Sequence, residues 1–118
     1  MNSYLALMTG AVLGASLRYL FYLFQFNYLG IPLSTTLVNI LGSSLAGFFF
    51  NKFEGQFYIF LYLGVFGSFT TLSAFNLELF SLISNQSFLK ALIYFVLNIF
   101  TSFVLFYIFY LLGLKIAH

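Results

Sequence analysis

Charge is what this chain has least of: four basic and two acidic side chains in 118 residues, 5% of the total. A soluble domain carries about 25% charged residues, so a water-soluble fold is not expected. Cysteine is absent, which excludes disulfides and thiolate metal sites. Tryptophan is also absent, proline occurs once, and the single histidine is His118. What remains supplies no nucleophile–base pair, phosphate-cradling loop or His/Asp cluster, so no enzyme is expected. A net charge of +2 is too small to point to nucleic acid.

Apolar residues are abundant: 63% of the chain is hydrophobic, 24% aromatic, and the mean hydropathy is +1.07. Four continuous apolar runs occupy residues 4–24, 32–50, 57–83 and 88–114. Their lengths suit helices that cross a hydrocarbon core about 30 Å thick. Unbroken runs, without polar alternation, argue against a membrane β-barrel. The expected fold class is an all-α membrane protein with four transmembrane helices in one domain, 1–118, leaving no room for a separate soluble domain. No basic stretch precedes the first run, so that run is expected to stay as a spanning helix and not to be cleaved as a signal. Pro32 is placed as the first helical residue of the second span, where its missing N–H costs nothing.

The third run carries the most informative string: Gly64-Val65-Phe66-Gly67-Ser68-Phe69-Thr70-Thr71-Leu72-Ser73-Ala74-Phe75. Thr70 sits at the run's midpoint, which is where the bilayer centre should be. Glycines and hydroxyls there predict a helix broken near its middle, with the freed backbone satisfied by protein, ion or water. Broken helices at the midplane are a recurring way to build an ion site.

Four spans put both ends of the chain on one membrane face. That face holds Lys52 and Lys115. Lys90, and Arg18 in the later half of span 1, belong to the other. Two against two gives the positive-inside rule nothing to act on. Either few charges make the bias weak by chance, or copies insert both ways and pair antiparallel.

Arg18 and Glu78 are the charges inside spans, at similar depth. They either pair and lock helices together, or line a vestibule in which a permanent cation attracts anions. Asn39 lies about eight residues into span 2. Tyr94, Asn98 and Ser102 follow one another at i, i+4, i+8 and share a helix face. Such a ladder is either polar glue between helices or a track for a solute; Asn39 at similar depth favours the track. Gly10, Gly14 and Ala15, and Gly42, Ser43, Ala46 and Gly47, are placed as close-packing positions. Glu78 alone could serve as a proton or cation site, which keeps a transporter open.

At these motifs the chain resembles the Fluc/CrcB family of fluoride channels over essentially its whole length. Span 1 has Gly10-Ala-Val-Leu-Gly14-Ala15-Ser-Leu-Arg18-Tyr19, similar to GxxxGAxxRY. Span 2 has Thr36-Leu-Val38-Asn39-Ile-Leu-Gly42-Ser43, similar to TLxVNxxGS. The span 3 string is similar to GFxGGxTTFSTF and is followed by Glu78. The resemblance implies an antiparallel dual-topology dimer with two pores in a bacterial inner cell membrane. It implies a structural Na⁺, not transported, on the backbone carbonyls of Gly67 and Thr70. It implies a fluoride pathway through Asn39, Ser73, Phe75, Tyr94, Asn98 and Ser102, with aromatic ring edges offering partial positive charge to the anion. Three positions depart from the family pattern: Leu72 stands where a first pathway Phe is expected, Ala74 replaces a hydroxyl, and Asn98 replaces what is often a Ser. Leu72 opens the alternatives of a homodimer or a heterodimer with a second family chain, and of a pore-deficient subunit. A small multidrug-type transporter is also four-span and dual-topology, but its essential Glu lies in span 1, where this chain has Arg18.

Overall fold

The computed structural model describes residues 2–116; Met1, Ala117 and the only histidine, His118, lie outside the described residues. The chain is helical almost throughout, in an elongated body of 48 × 31 × 20 Å. Helix α1 (Ser3–Leu23) begins with Asn2 as cap, its side chain accepting from the Leu5 amide at 2.8 Å. Capping satisfies one of the amides a helix start leaves free. After α1 comes a small hairpin, β1 (Asn27–Tyr28) against β2 (Ile31–Pro32), antiparallel. Its two-residue connection, Leu29 at φ +52° and Gly30 at φ +82°, has the double positive φ of a type I′ turn.

Helix α2 is Ser34–Phe48, 15 residues or about 22 Å. That is shorter than the 32–50 span expected from the sequence, and Pro32 is not its first residue. Pro32 pairs in β2 instead; a residue without an N–H is tolerated at such an edge position. The hairpin is stitched to the helix start: the Leu33 amide donates to Phe26 O at 3.0 Å, and the Phe26 amide to Ser34 Oγ at 3.0 Å.

Helix α3 covers residues 55–69 and includes a π-helical stretch, Ile59–Phe66. Two extended residues, Thr70 (ψ 159°) and Thr71 (ψ 125°), separate it from α4 (Leu72–Ser84). Helix α5 (Phe88–Ile116) has its own π-helical stretch at Val96–Thr101. Three segments, α1, Gly55–Ser84 and α5, are long and apolar enough to cross a membrane. With the composition above, this makes the chain a multi-pass membrane protein.

Backbone-close packing holds the rods together, as expected where lipid removes the hydrophobic drive between helices. Helix α1 lies along α3, with Gly10 against the Phe60 carbonyl and Gly64, and Gly14 against Val65 and Ser68. Helix α2 lies along α5, with Gly47 against Phe106 and Gly113 against the Phe48 carbonyl. Hydroxyls add cross-links: Tyr62 donates to Ala46 O at 2.9 Å, and Ser68 Oγ lies 2.6 Å from Gly64 O and 3.0 Å from Ala11 O. Lys52 Nζ donates to Gly113 O at 2.9 Å, a cation at a helix C-terminus. Lys90 Nζ lies over Gly30 at the opposite end of α5. The outer surface carries exposed Val12, Leu77, Leu89 and Phe103, as a lipid-facing surface requires.

A polar hollow beside an interrupted helix

The interruption at Thr70–Thr71 is made by a side chain from another helix. Asn39 Oδ1 accepts from the Thr71 amide at 2.8 Å, and Asn39 Nδ2 donates to Thr71 O at 3.2 Å. The amide pairs with Thr71 as a neighbouring strand would. In a continuous helix the Thr71 amide would serve Gly67 O, and the Ala74 amide would serve Thr70 O. The first goes to Asn39, and the second to Thr71 Oγ1 at 3.2 Å as the cap of α4. The carbonyls of Gly67 and Thr70 thereby lose their helical donors.

Next to the break is a hollow of about 200 Å³ lined by Asn39, Ser43, Thr70, Thr71, Leu72, Asn98, Ile99 and Ser102. Its donors are largely committed. The second hydrogen of Asn39 Nδ2 goes to Asn98 Oδ1 at 2.9 Å. Asn98 Nδ2 donates to Thr36 Oγ1 at 2.9 Å and Tyr94 O at 3.0 Å. Backbone partners fix both amide orientations, because the Thr71 N–H can only donate and Tyr94 O can only accept. Asn98 sits within the π-helical stretch of α5, a feature frequent at functional sites. Ser102 Oγ, one turn on, is buried and has no hydrogen-bond partner among the described residues. A buried hydroxyl without a partner is unusual enough to need a reason.

The ladder of α5 faces inward: Tyr94, Asn98 and Ser102 are 0%, 3% and 7% exposed. Only the last two line the hollow. Tyr94 stands behind it, stacked on Phe75 (5.4 Å between centroids, 13° between planes), and donates to Glu78 Oε2 at 2.7 Å. Thr35 donates to the other carboxylate oxygen at 2.6 Å and takes a hydrogen bond from Tyr22 at 2.9 Å. Glu78 is therefore held by hydroxyls. The Arg18–Glu78 pairing considered from the sequence does not form; among the described residues each oxygen of the carboxylate already has a hydroxyl donor. Phe75 is buried, whereas Leu72 is 65% exposed and lines the hollow. Ser73 is exposed, 3.3 Å from Thr71 Oγ1. Gly67 and Thr70 line a second groove of about 280 Å³, with Gly42, Ser43, Ala46, Tyr62, Phe66 and Phe106. Among the described residues no three His, Cys, Asp or Glu side chains converge.

Sequence reasoning missed Tyr22, Thr35 and Thr36 as site residues. Thr35 and Thr36 precede Asn39 by four and three residues, so they share its helix face; a hydroxyl on the face of a buried amide was the available signal.

The chain matches the model of a family described as CrcB-like protein, Camphor Resistance (CrcB), over residues 5–113. It is 32% identical over 112 residues to a protein named fluoride-specific ion channel FluC from Sulfurihydrogenibium sp. (strain YO3AOP1), covering 88% of this chain and 90% of that relative. It is 41% identical over 103 residues to one of the same name from Hyphomonas neptunium (strain ATCC 15444), covering 80% and 81%. A third, from Legionella pneumophila (strain Lens), is 46% identical over 83 residues, covering 64% of this chain and 62% of the relative.

Proposed function

The chain belongs to the CrcB family, and on that premise we propose that it is a fluoride-specific ion channel that lowers cytoplasmic fluoride by passive efflux. The structural observation that carries the reading is the hollow. It is lined mostly by polar residues, contains no carboxylate, and includes Ser102, whose buried hydroxyl makes no hydrogen bond among the described residues, beside an interrupted helix. An anion that sheds water needs donors that nothing else uses. Asn39 and Asn98 shape the path; Tyr94, Phe75 and Ser73 stand around it, and Arg18 supplies positive charge toward one end. Hydrogen fluoride crosses membranes neutral and dissociates inside. A membrane potential, negative inside, then drives the anion out with about 2.3 kcal/mol per charge per 100 mV. The cell (inner) membrane is the proposed location.

The proposed assembly is an antiparallel, dual-topology dimer. Its support is the even split of basic charge, with Lys52 and Lys115 toward one end of the bundle and Lys90 and Arg18 toward the other. The carbonyls of Gly67 and Thr70 fit the Na⁺ implied by the family, since a hard cation takes hard oxygens. These two have been stripped of their helical donors. Bound there, the cation would supply fixed positive charge at the break and tie protomers together.

A second reading is favoured by one observation. Leu72 is exposed and lines the hollow with an aliphatic side chain, which has no positive ring edge to offer an anion. The chain would then be the pore-deficient subunit of a heterodimer whose partner supplies the ring. The test is fluoride efflux from liposomes holding this chain alone, with chloride as control. Fast fluoride-only efflux is expected. No efflux from a folded dimer would refute self-sufficiency, and recovery on adding a second family chain would establish the heterodimer.

A further inference from the structure

We propose that Ser43 is a fluoride-positioning residue that faces Ser102 across the hollow. This rests on the channel reading and adds to it a residue that the packing pattern had placed only among the small positions of α2.

Helices α2 and α5 run in the same direction and in register. Asn39 bonds Asn98, an offset of 59 residues. Two turns further along, Gly47 meets Phe106 at the same offset, and Phe50 meets the ring of Tyr110 near it. The layer between those contacts is Ser43 and Ser102, again at that offset, and both line the hollow. Side chains four residues apart share a helix face, so the layer has one serine on each side.

Hydrogen-bond accounting singles out these two. Every N–H of Asn39 and Asn98 is committed. Thr70 Oγ1 donates to Phe66 O at 3.1 Å, and Thr71 Oγ1 is engaged with the Ala74 amide and Ser73. A serine inside a helix usually bonds back to the carbonyl four residues earlier. Ser44 does so, to Ile40 O at 2.8 Å, but Ser43 Oγ makes no hydrogen bond among the described residues. The hollow's hydroxyls without any hydrogen bond among the described residues are thus Ser43 and Ser102. A small, strongly hydrated anion placed between them gains two charge-assisted hydrogen bonds, one from each helix. Ser43 also lines the groove that holds Gly67 and Thr70, so its hydroxyl stands where the hollow meets the proposed cation site. Asn98 sharpens the need for it: the amide occupies Asn39's spare donor, so the anion must find another.

The experiment is fluoride efflux from liposomes over a range of fluoride concentrations, with size-exclusion profiles as the folding control. Ser43→Val and Ser43→Thr have the same shape and differ in the hydroxyl. We expect Ser43→Val to lower flux about tenfold or more and raise the half-saturating fluoride concentration, as loss of one bond to a charged group does. Ser43→Thr should keep at least about a third of the flux, since its hydroxyl remains. Ser44→Ala, whose hydroxyl is spent on its own helix, should behave as the parent. Equal behaviour of the Val and Thr variants would overturn the proposal while leaving the channel reading intact. A folded parent chain that moves no fluoride would overturn both.

Discussion

Asn39→Asp separates two roles that one amide performs. Asn39 makes three hydrogen bonds, to the Thr71 amide, the Thr71 carbonyl and Asn98 Oδ1. A carboxylate keeps the first and turns the other two into contacts between acceptors. At about 0.6 kcal/mol per side-chain bond in a membrane bundle, Asn39→Ala forfeits about 2 kcal/mol of stability; Asn39→Asp forfeits about 1 kcal/mol in lost bonds and adds the larger cost of an unpaired carboxylate in the membrane interior. Conduction of the folded protein should separate the variants further. A negative charge about 4 Å from the anion, at an effective dielectric near 20, opposes it by about 4 kcal/mol, or about a thousandfold in flux. The assay is fluoride efflux from liposomes at equal protein density, beside stability measured by denaturant titration in detergent. We expect the Asp variant to be the less stable of the two and, at equal folded protein, far the less conductive. If the two variants conduct alike at equal folded protein, Asn39 acts only as a structural clasp and no anion passes near it.

Leu72→Phe should raise fluoride flux of the chain alone at least severalfold, because the side chain already lies exposed at the hollow and a ring fits without overpacking; unchanged flux would clear Leu72 as the defect. Gly10→Ala should cost about 1–3 kcal/mol, since its Cβ runs into the Phe60 carbonyl and lies 2.9 Å from Gly64 Cα. Gly67→Ala, whose Cβ would meet only Tyr62 O at 3.4 Å, should leave the protomer's helicity intact but weaken dimerisation, read by light scattering in Na⁺. Arg18→Gln and Glu78→Gln should be additive within about 0.5 kcal/mol in a double-mutant cycle, because Glu78 is held by Thr35 and Tyr94; coupling well above that would restore the ion pair.

Residues separated by one helical turn were legible in the sequence; their partners across the bundle were not. The spacing of Tyr94, Asn98 and Ser102 correctly put all three on one buried face. It could not show that Tyr94 would spend its hydroxyl on Glu78, or Asn98 its amide on Thr36 and Tyr94 O. Asn39 was read as a ligand for solute, yet two of its three bonds go to a backbone 32 residues away; only tertiary packing brings Thr71 there. Placing charges by depth left Glu78 either paired with Arg18 or lining a vestibule beside it, because charges stand out in an apolar chain and hydroxyls do not. A carboxylate flanked by two hydroxyl donors needs no cation. Pro32 was misplaced for a related reason: a proline before an apolar run fits a helix start or a strand edge equally well, and Ser34 binding the Phe26 amide decides between them.

Gly67 shows why the break is better understood from outside the helix than from within it. Its backbone is ordinary right-handed helix, φ −63° and ψ −31°, so the conformational freedom of glycine goes unused. Gly10, Gly14, Gly47, Gly64 and Gly113 each have backbone or side-chain atoms of a neighbouring helix where a Cβ would go; Gly67 has only the carbonyl of Tyr62, at ordinary contact distance. Nothing inside the protomer demands a glycine there. Asn39 meanwhile removes the donor that would have covered the Gly67 carbonyl, and the residue is exposed. A bare carbonyl beside a missing side chain, on an exposed face of a membrane helix, would be costly if lipid were its neighbour. The cost disappears if a cation and a second copy of the chain lie against it, as they would in the proposed dimer.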